Sequence, residues 1–260
     1  MPYESIKLEI NDAVAVLTLN RPEKRNAISH EMIAEILHAL DEVEAGAARA
    51  LILTGADNAF CAGMDLQALK DFRSQSDPEI VADAHLIATL FRRLYSFPKP
   101  TIAAVNGPAI AGGCGMATVC DFTLAVPEAK FGYTEVRVGF IPAIVSSYVI
   151  RLVGEKRARD LLLSGRIFRA AEAKTLGIVN EVLEPDKLLP RAHELARSLA
   201  EMSPVALTHT KRLLLKLSQD ELDHETELAV EASTRVRKTA DFQEGLAAFL
   251  EKRKPQWRGE

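Results

Sequence analysis

Two loops of small residues offer most of the chemistry available in this sequence. Phe60-Cys61-Ala62-Gly63-Met64-Asp65-Leu66 follows a buried apolar run, Ala111-Gly112-Gly113-Cys114-Gly115 follows another, and each leads into a helical pattern. The first N–H groups of a helix have no partner inside it, so both loops can present free backbone donors. Donors that converge would hold an oxygen on which negative charge develops during a reaction. The second cluster also invites comparison with two phosphate-binding loops and fails both. Glu135 lies twenty residues beyond Gly115, as the acid of a dinucleotide fingerprint would. Yet Thr118 stands where the third glycine belongs, the helix has room for only about two turns before Asp121, and no strand ends at the acid. No Gly-Lys-Ser/Thr follows for a nucleoside-triphosphate loop either. The plainer reading of these glycines is close approach of a helix to a neighbouring strand.

Other reactive side chains suggest less. His30, His38, His85, His193, His209 and His224 are scattered without metal-ligand spacing, so no metal is expected. Cys114 reads as a small packed side chain, since no histidine lies near it in sequence. With Cys61 and Cys120 it makes an odd set of three, spaced for neither a disulfide framework nor a zinc site, which suits a reducing, cytoplasmic compartment. The chain of 260 residues carries 32 Lys and Arg against 36 Asp and Glu, a net charge of -4. That balance argues against nucleic acid as a partner, because such binding needs a net basic face. No secretory signal is visible at the N-terminus. Turn residues interrupt the apolar stretch from Pro100 to Cys120, so no membrane span is expected.

The elements that must position these loops alternate between strand and helix. Ile6 to Ile10 and Val14 to Leu19 read as strands around an Asn11-Asp12 turn. Ser29 is a good N-cap for an amphipathic helix over 30–45, where Met32, Ile33, Ile36, Leu37, Leu40 and Val43 recur at helical spacing. Buried strands are predicted at Ala50 to Thr54, Thr101 to Val105 and Phe122 to Val126, with a helix ending near Tyr95 ahead of Pro98 and Pro100. From Pro185 the pattern becomes helical, with segments near 188–199, 204–217, 220–238 and 241–252. This tail is expected to pack on the first region or on another subunit.

Five stretches, in order, carry a resemblance: LNRPEKRNA (19–27), FCAGMDL (60–66), KPTIAAVNGPAIAGGCG (99–115), CDFTLAVPEAKFGYTEVRVGFIP (120–142) and GLAAFLEKRKPQW (245–257). Together they resemble the crotonase (enoyl-CoA hydratase/isomerase) superfamily over nearly the whole chain. The resemblance implies an α/β fold: a spiral of ββα units over residues 1–184, then a helical region over 185–260 that assembles homotrimers, often paired into a dimer of trimers. It implies an acyl-CoA thioester as substrate, with coenzyme A part of that substrate and no metal or redox cofactor.

The resemblance also implies roles for particular residues. The N–H groups of Met64 and Gly112 would bind the thioester oxygen, and Glu135 would act as general acid and base. Without the resemblance, Glu135 reads as an acid paired with Arg137. Lys24, Arg25 and Ala27 in the first loop, Ala62, Gly63, Asp65 and Leu66 in the second, and Gly113 would lie along the CoA thioester. Gln67 stands in place of a lysine found in some members. Phe249 and Lys252 would reach CoA on a neighbouring subunit, while Tyr133 and Ser146 would line the acyl pocket.

One departure separates the chain from typical hydratases, which have a second glutamate where Gly115 stands. A single carboxylate suits Δ3,Δ2-enoyl-CoA isomerases. However, Gly115 together with Ile141-Pro142-Ala143-Ile144-Val145-Ser146-Ser147-Tyr148 looks like bacterial hydratases of branched, methylglutaconyl-type acyl-CoAs. There glycine would leave room for an acidic substrate tail. Hydratase is therefore the expected activity, with isomerase and a non-catalytic acyl-CoA-binding protein as alternatives.

Overall fold

Ala50–Gly55 and Thr101–Val105 are buried along their whole length. Such uninterrupted apolar runs form strands covered on both faces, and the computed structural model, which describes residues 3–65, 68 and 75–259, places them at the centre of a sheet. The strands are β1 (Ile6–Asn11), β2 (Val14–Leu19), β3 (Ala50–Gly55), β4 (Thr101–Val105), β5 (Ala109–Ile110), β6 (Phe122–Ala125), β7 (Lys130–Gly132), β8 (Phe168–Arg169) and β9 (Glu181–Val182). Six form one sheet in the order β1-β2-β3-β4-β6-β9, and β5-β7-β8 form a second. In the larger sheet β1 pairs antiparallel with β2, in the register Leu8 opposite Leu17, and every later pairing is parallel.

Parallel neighbours need crossovers, and helices supply them. Helix α1 (His30–Ala45) joins β2 to β3, and α2 (Asp77–Tyr95) precedes β4. Between β4 and β6 the chain detours through β5 and the short α3 (Gly112–Val119). Helix α1 starts where the sequence predicts: Ser29 Oγ accepts a bond from Met32 N at 3.2 Å, and Met32, Ile33, Ile36, Ala39, Leu40 and Val43 face the core.

The remaining helices are α4 (Ala143–Val153), α5 (Glu155–Ser164), α6 (Ala170–Thr175), α7 (Pro185–Ala200), α8 (Pro204–Lys216), α9 (Gln219–Arg237) and α10 (Ala240–Leu250). Helix α7 lays Leu188, Ala192 and Ala196 on β3 and β4, and α9 packs on α2 and α4. The tail therefore shares the core of the sheet region: Leu188, Leu222 and Val230 belong to the same apolar cluster as Leu53 and Val105. Among the described residues no helix is long and apolar enough to cross a membrane.

Candidate active site

The first loop is held by Asn26, fully buried in a left-handed conformation (φ 55°). Its Nδ2 donates to Ala56 O (2.9 Å) and Ala59 O (2.7 Å), while its Oδ1 accepts from Arg21 N (2.9 Å). One side chain thus satisfies three backbone groups and clamps the first loop to the segment after β3. The two run on as a parallel pair: Ile28 N donates to Gly63 O and Asp65 N donates to Ile28 O, each at 2.8 Å. In a parallel bridge this pattern leaves the N–H of the residue between, Met64, on the opposite edge.

The second loop lies directly against the first. Cys61 bridges Ala109, and Ile110 N donates to Cys61 O at 2.9 Å. At Gly63 (φ +89°) an added Cβ would stand 3.1 Å from Ala111 Cβ, and at Gly113 it would stand 2.3 Å from Cys61 O. The loops touch through atoms that only glycine leaves uncovered, so close packing explains Gly63 and Gly113. Ala111 turns the chain into α3 with φ 49° and ψ -122°, a conformation costly for alanine. The turn makes Gly112 the first residue of α3, where its N–H has no helical partner.

Met64, Gly112 and Glu135 line one cavity of about 780 Å³. Glu135 opens a 3-10 turn (Glu135–Val138) that follows β7. Its Oε2 is buried and accepts no hydrogen bond, and among the described residues it forms no ion pair with Arg137, which is exposed. Burial pushes its carboxyl up to about 7, with a backbone hydrogen bond opposing. The 3-10 turn is braced from behind by α10. A Cβ at Gly245 would stand 2.3 Å from Val138 O, one at Gly139 (φ +67°) would stand 2.6 Å from Asp241 O, and Trp257 closes over both glycines.

Lys24, Arg25, Ala27, Ala62, Asp65 and Phe249 also line the cavity. Asp65 is engaged structurally: its carboxylate takes Arg21 Nη2 at 2.7 Å and Lys24 Nζ at 3.3 Å. Sequence reasoning passed over Arg21, which also donates to Ala27 O, and Asn26; both lie in the first matched stretch. Several expected contacts do not line the cavity, Gly63, Gly113 and Gly115 among them, since they are packed against Ala111, Cys61 and Phe91. Tyr133 is fully buried behind its wall, sharing a 2.7 Å hydrogen bond with Thr118 of α3. Ser146 turns its hydroxyl onto Ala143 O. Lys252 lies exposed beyond α10. Leu66 and Gln67 lie outside the described residues.

The space beside Gly115 differs from the expectation. It is not open: a Cβ there would stand 2.5 Å from Phe91 Cε1 and 3.1 Å from Val145 Cγ2. An aromatic ring fills the gap that the missing side chain leaves, so Gly115 itself opens no space for an acidic tail. A polar group does stand elsewhere in the wall. Buried Asp83 of α2 pairs with both His30 and Arg237, the latter at 2.5 Å, and the Arg237 guanidinium lies over the Phe140 ring.

Two backbone donors and one desolvated carboxyl, set in a mostly apolar cavity, suit an enzyme that stabilises an oxyanion while moving a proton. The comparisons with known proteins agree. The pattern of the Enoyl-CoA hydratase/isomerase family matches residues 9–260, and the chain belongs to that family. It is 47% identical over 245 residues to a Thermus thermophilus protein provisionally named an enoyl-CoA hydratase, covering 94% of this chain and 97% of that one. It is 36% identical to the crotonyl-CoA hydratase of Syntrophomonas wolfei, over 98% of both chains. The crystal structure of an enoyl-CoA hydratase/isomerase from Xanthobacter autotrophicus Py2 superposes with a TM-score of 0.89 at 34% identity, covering 96% of this chain and 97% of that one. The fold is thus the crotonase fold.

Proposed function

We propose that the protein is an enoyl-CoA hydratase that adds water across the α,β double bond of an acyl-CoA thioester. The observation that carries this reading is the buried, unbonded Oε2 of Glu135 in the same cavity as Met64 and Gly112. Backbone N–H groups of Met64 and Gly112 hold the thioester oxygen, each contributing about 3 kcal/mol as charge moves onto it. The water oxygen bonds to the β carbon, and the π electrons pass through the α carbon to the thioester oxygen, giving an enolate. Glu135 takes the proton released by the water and returns it to the α carbon, so the carboxylate is regenerated. Lys24 and Arg25 at the mouth suit the phosphates of coenzyme A, which enters as part of the substrate, with no further cofactor.

Branched acyl groups are the finer substrate reading. A glutaconyl-type carboxylate gains no space at Gly115, and Arg237 of the cavity lining is already paired with Asp83. Assembly as homotrimers, in the cytoplasm, belongs to the same proposal. Helix α8 supports the trimers because it buries none of its residues and exposes Val205, Leu213 and Leu214.

The second reading, a Δ3,Δ2-enoyl-CoA isomerase, is favoured by one observation: Phe91 and Val145, not an acid, lie beside Gly115. An absorbance assay of the conjugated enoyl thioester separates the two. Crotonyl-CoA, 3-methylglutaconyl-CoA and a β,γ-enoyl-CoA are tested with the wild type and with Glu135→Gln. Hydration predicts loss of absorbance that falls by about 10²-fold or more in the variant. Absorbance gained from the β,γ-ester alone establishes the isomerase, and silence on all three overturns both.

A further inference from the structure

Phe91 lies in α2, far in sequence from both donor loops, and nothing in its own neighbourhood marks it. The fold brings its ring, 3% exposed, to the cavity wall and against Gly115. Gly115 is three residues beyond Gly112 on α3. That spacing places it on nearly the same side of the helix, about 4.5 Å further along the axis. The ring in contact with it therefore stands one helical turn below the Gly112 N–H. A thioester whose oxygen is held at that N–H directs its acyl carbons into the same cavity. Val145 closes the other side of the glycine, and Ala84, Ile87 and Leu90 of α2 continue the wall.

We propose that Phe91, seated against Gly115, is the specificity-determining residue that limits how far an acyl chain extends past the reacting carbons, making short, uncharged enoyl groups the preferred class. The proposal rests on the enoyl-CoA reading above. The ring is pinned by fit: Gly115 offers no atom to push it into the cavity, and the cluster around α2 holds it from behind. Shrinking the ring lengthens the pocket without touching the donors or Glu135.

The test is the ratio of kcat/KM for trans-2-octenoyl-CoA to that for crotonyl-CoA in the wild type, Phe91→Leu and Phe91→Ala. In apolar pockets a single methylene changes such discrimination by about 10–200-fold. The ratio is therefore expected to rise about tenfold or more in Phe91→Ala and by less in Phe91→Leu. Gly115→Ala, which drives the ring inward, is expected to lower it. Phe91→Leu keeps an apolar but shorter side chain, and serves if Phe91→Ala does not fold. The affinities of the saturated esters butyryl-CoA and octanoyl-CoA give a second reading that needs no turnover. Ratios unchanged within about threefold in the folded variants, by both measures, overturn the proposal. Shifted affinities with no hydration by any variant would leave Phe91 in its role and overturn the hydratase reading instead.

Discussion

At the scale of single residues, Glu135 is the group whose ionisation matters most. A carboxyl held at about 7 by burial is half ionised near neutrality, which suits a group that must both accept and return a proton. If Glu135 accepts the water proton, kcat/KM for hydration rises as pH passes upward through about 7, with a single-group profile that Glu135→Gln abolishes. Stability follows the opposite sense. The folded carboxyl binds a proton more tightly than the unfolded one, so its contribution is fully present below about 4.5 and is lost as pH rises through about 7. Glu135→Gln removes the cost of burying the anion, and denaturant titration at pH 8 is expected to show the variant more stable by roughly 1–3 kcal/mol. At pH 4 that difference is expected to vanish. Equal stability of the two proteins at pH 8 contradicts the desolvated site described above.

At the scale of elements, the 3-10 turn and α10 behave as one piece because their backbones touch at Gly139 and Gly245 with no side chain between them. Gly245→Ala places a methyl against Val138 O, and rigid backbone cannot step aside as a side-chain tip does. The expected outcome is a loss of about 1–3 kcal/mol in urea denaturation, together with a fall in kcat larger than any rise in KM. A variant as stable and active as the wild type would mean that α10 does not brace Glu135. This contact also shows where sequence reasoning stops. The strands from β1 to β4 and helix α1 were readable because apolar period and capping residues are local properties: Ser29, Met32 and Ile36 sit together in the chain. Strands β5, β8 and β9 have two residues each, too few to show any period. The donor loops were visible as glycine clusters, but the atoms that require glycine lie elsewhere: Cys61 for Gly113, Phe91 for Gly115 and Val138 for Gly245. Tyr133 is expected in the acyl pocket from the resemblance alone, with no local signal for which way its ring points. Here its hydroxyl reaches back to Thr118.

At the scale of the whole molecule, the C-terminal helices divide their labour. Helices α7 and α9 complete the core of their own chain, whereas α8 leaves Val205, Leu213 and Leu214 more than half exposed, with Leu217 just beyond it. An apolar face of that kind on a surface helix calls for a covering partner. A second and third copy of the chain fit the proposed assembly. Light scattering of the purified protein is expected to give about three or six times the chain mass of 28.5 kDa. Leu213→Glu combined with Leu214→Glu is expected to yield monomers, and a monomeric wild type at micromolar concentration would rule out the assembly. The contact between Phe91 and Gly115 reaches beyond the present molecule, into its ancestry. A side chain at position 115 and the ring at 91 compete for one space, so the two positions are expected to vary together. A relative with a carboxylate at 115 is expected to carry a smaller residue at 91 or a displaced ring, which an alignment of the two positions would check.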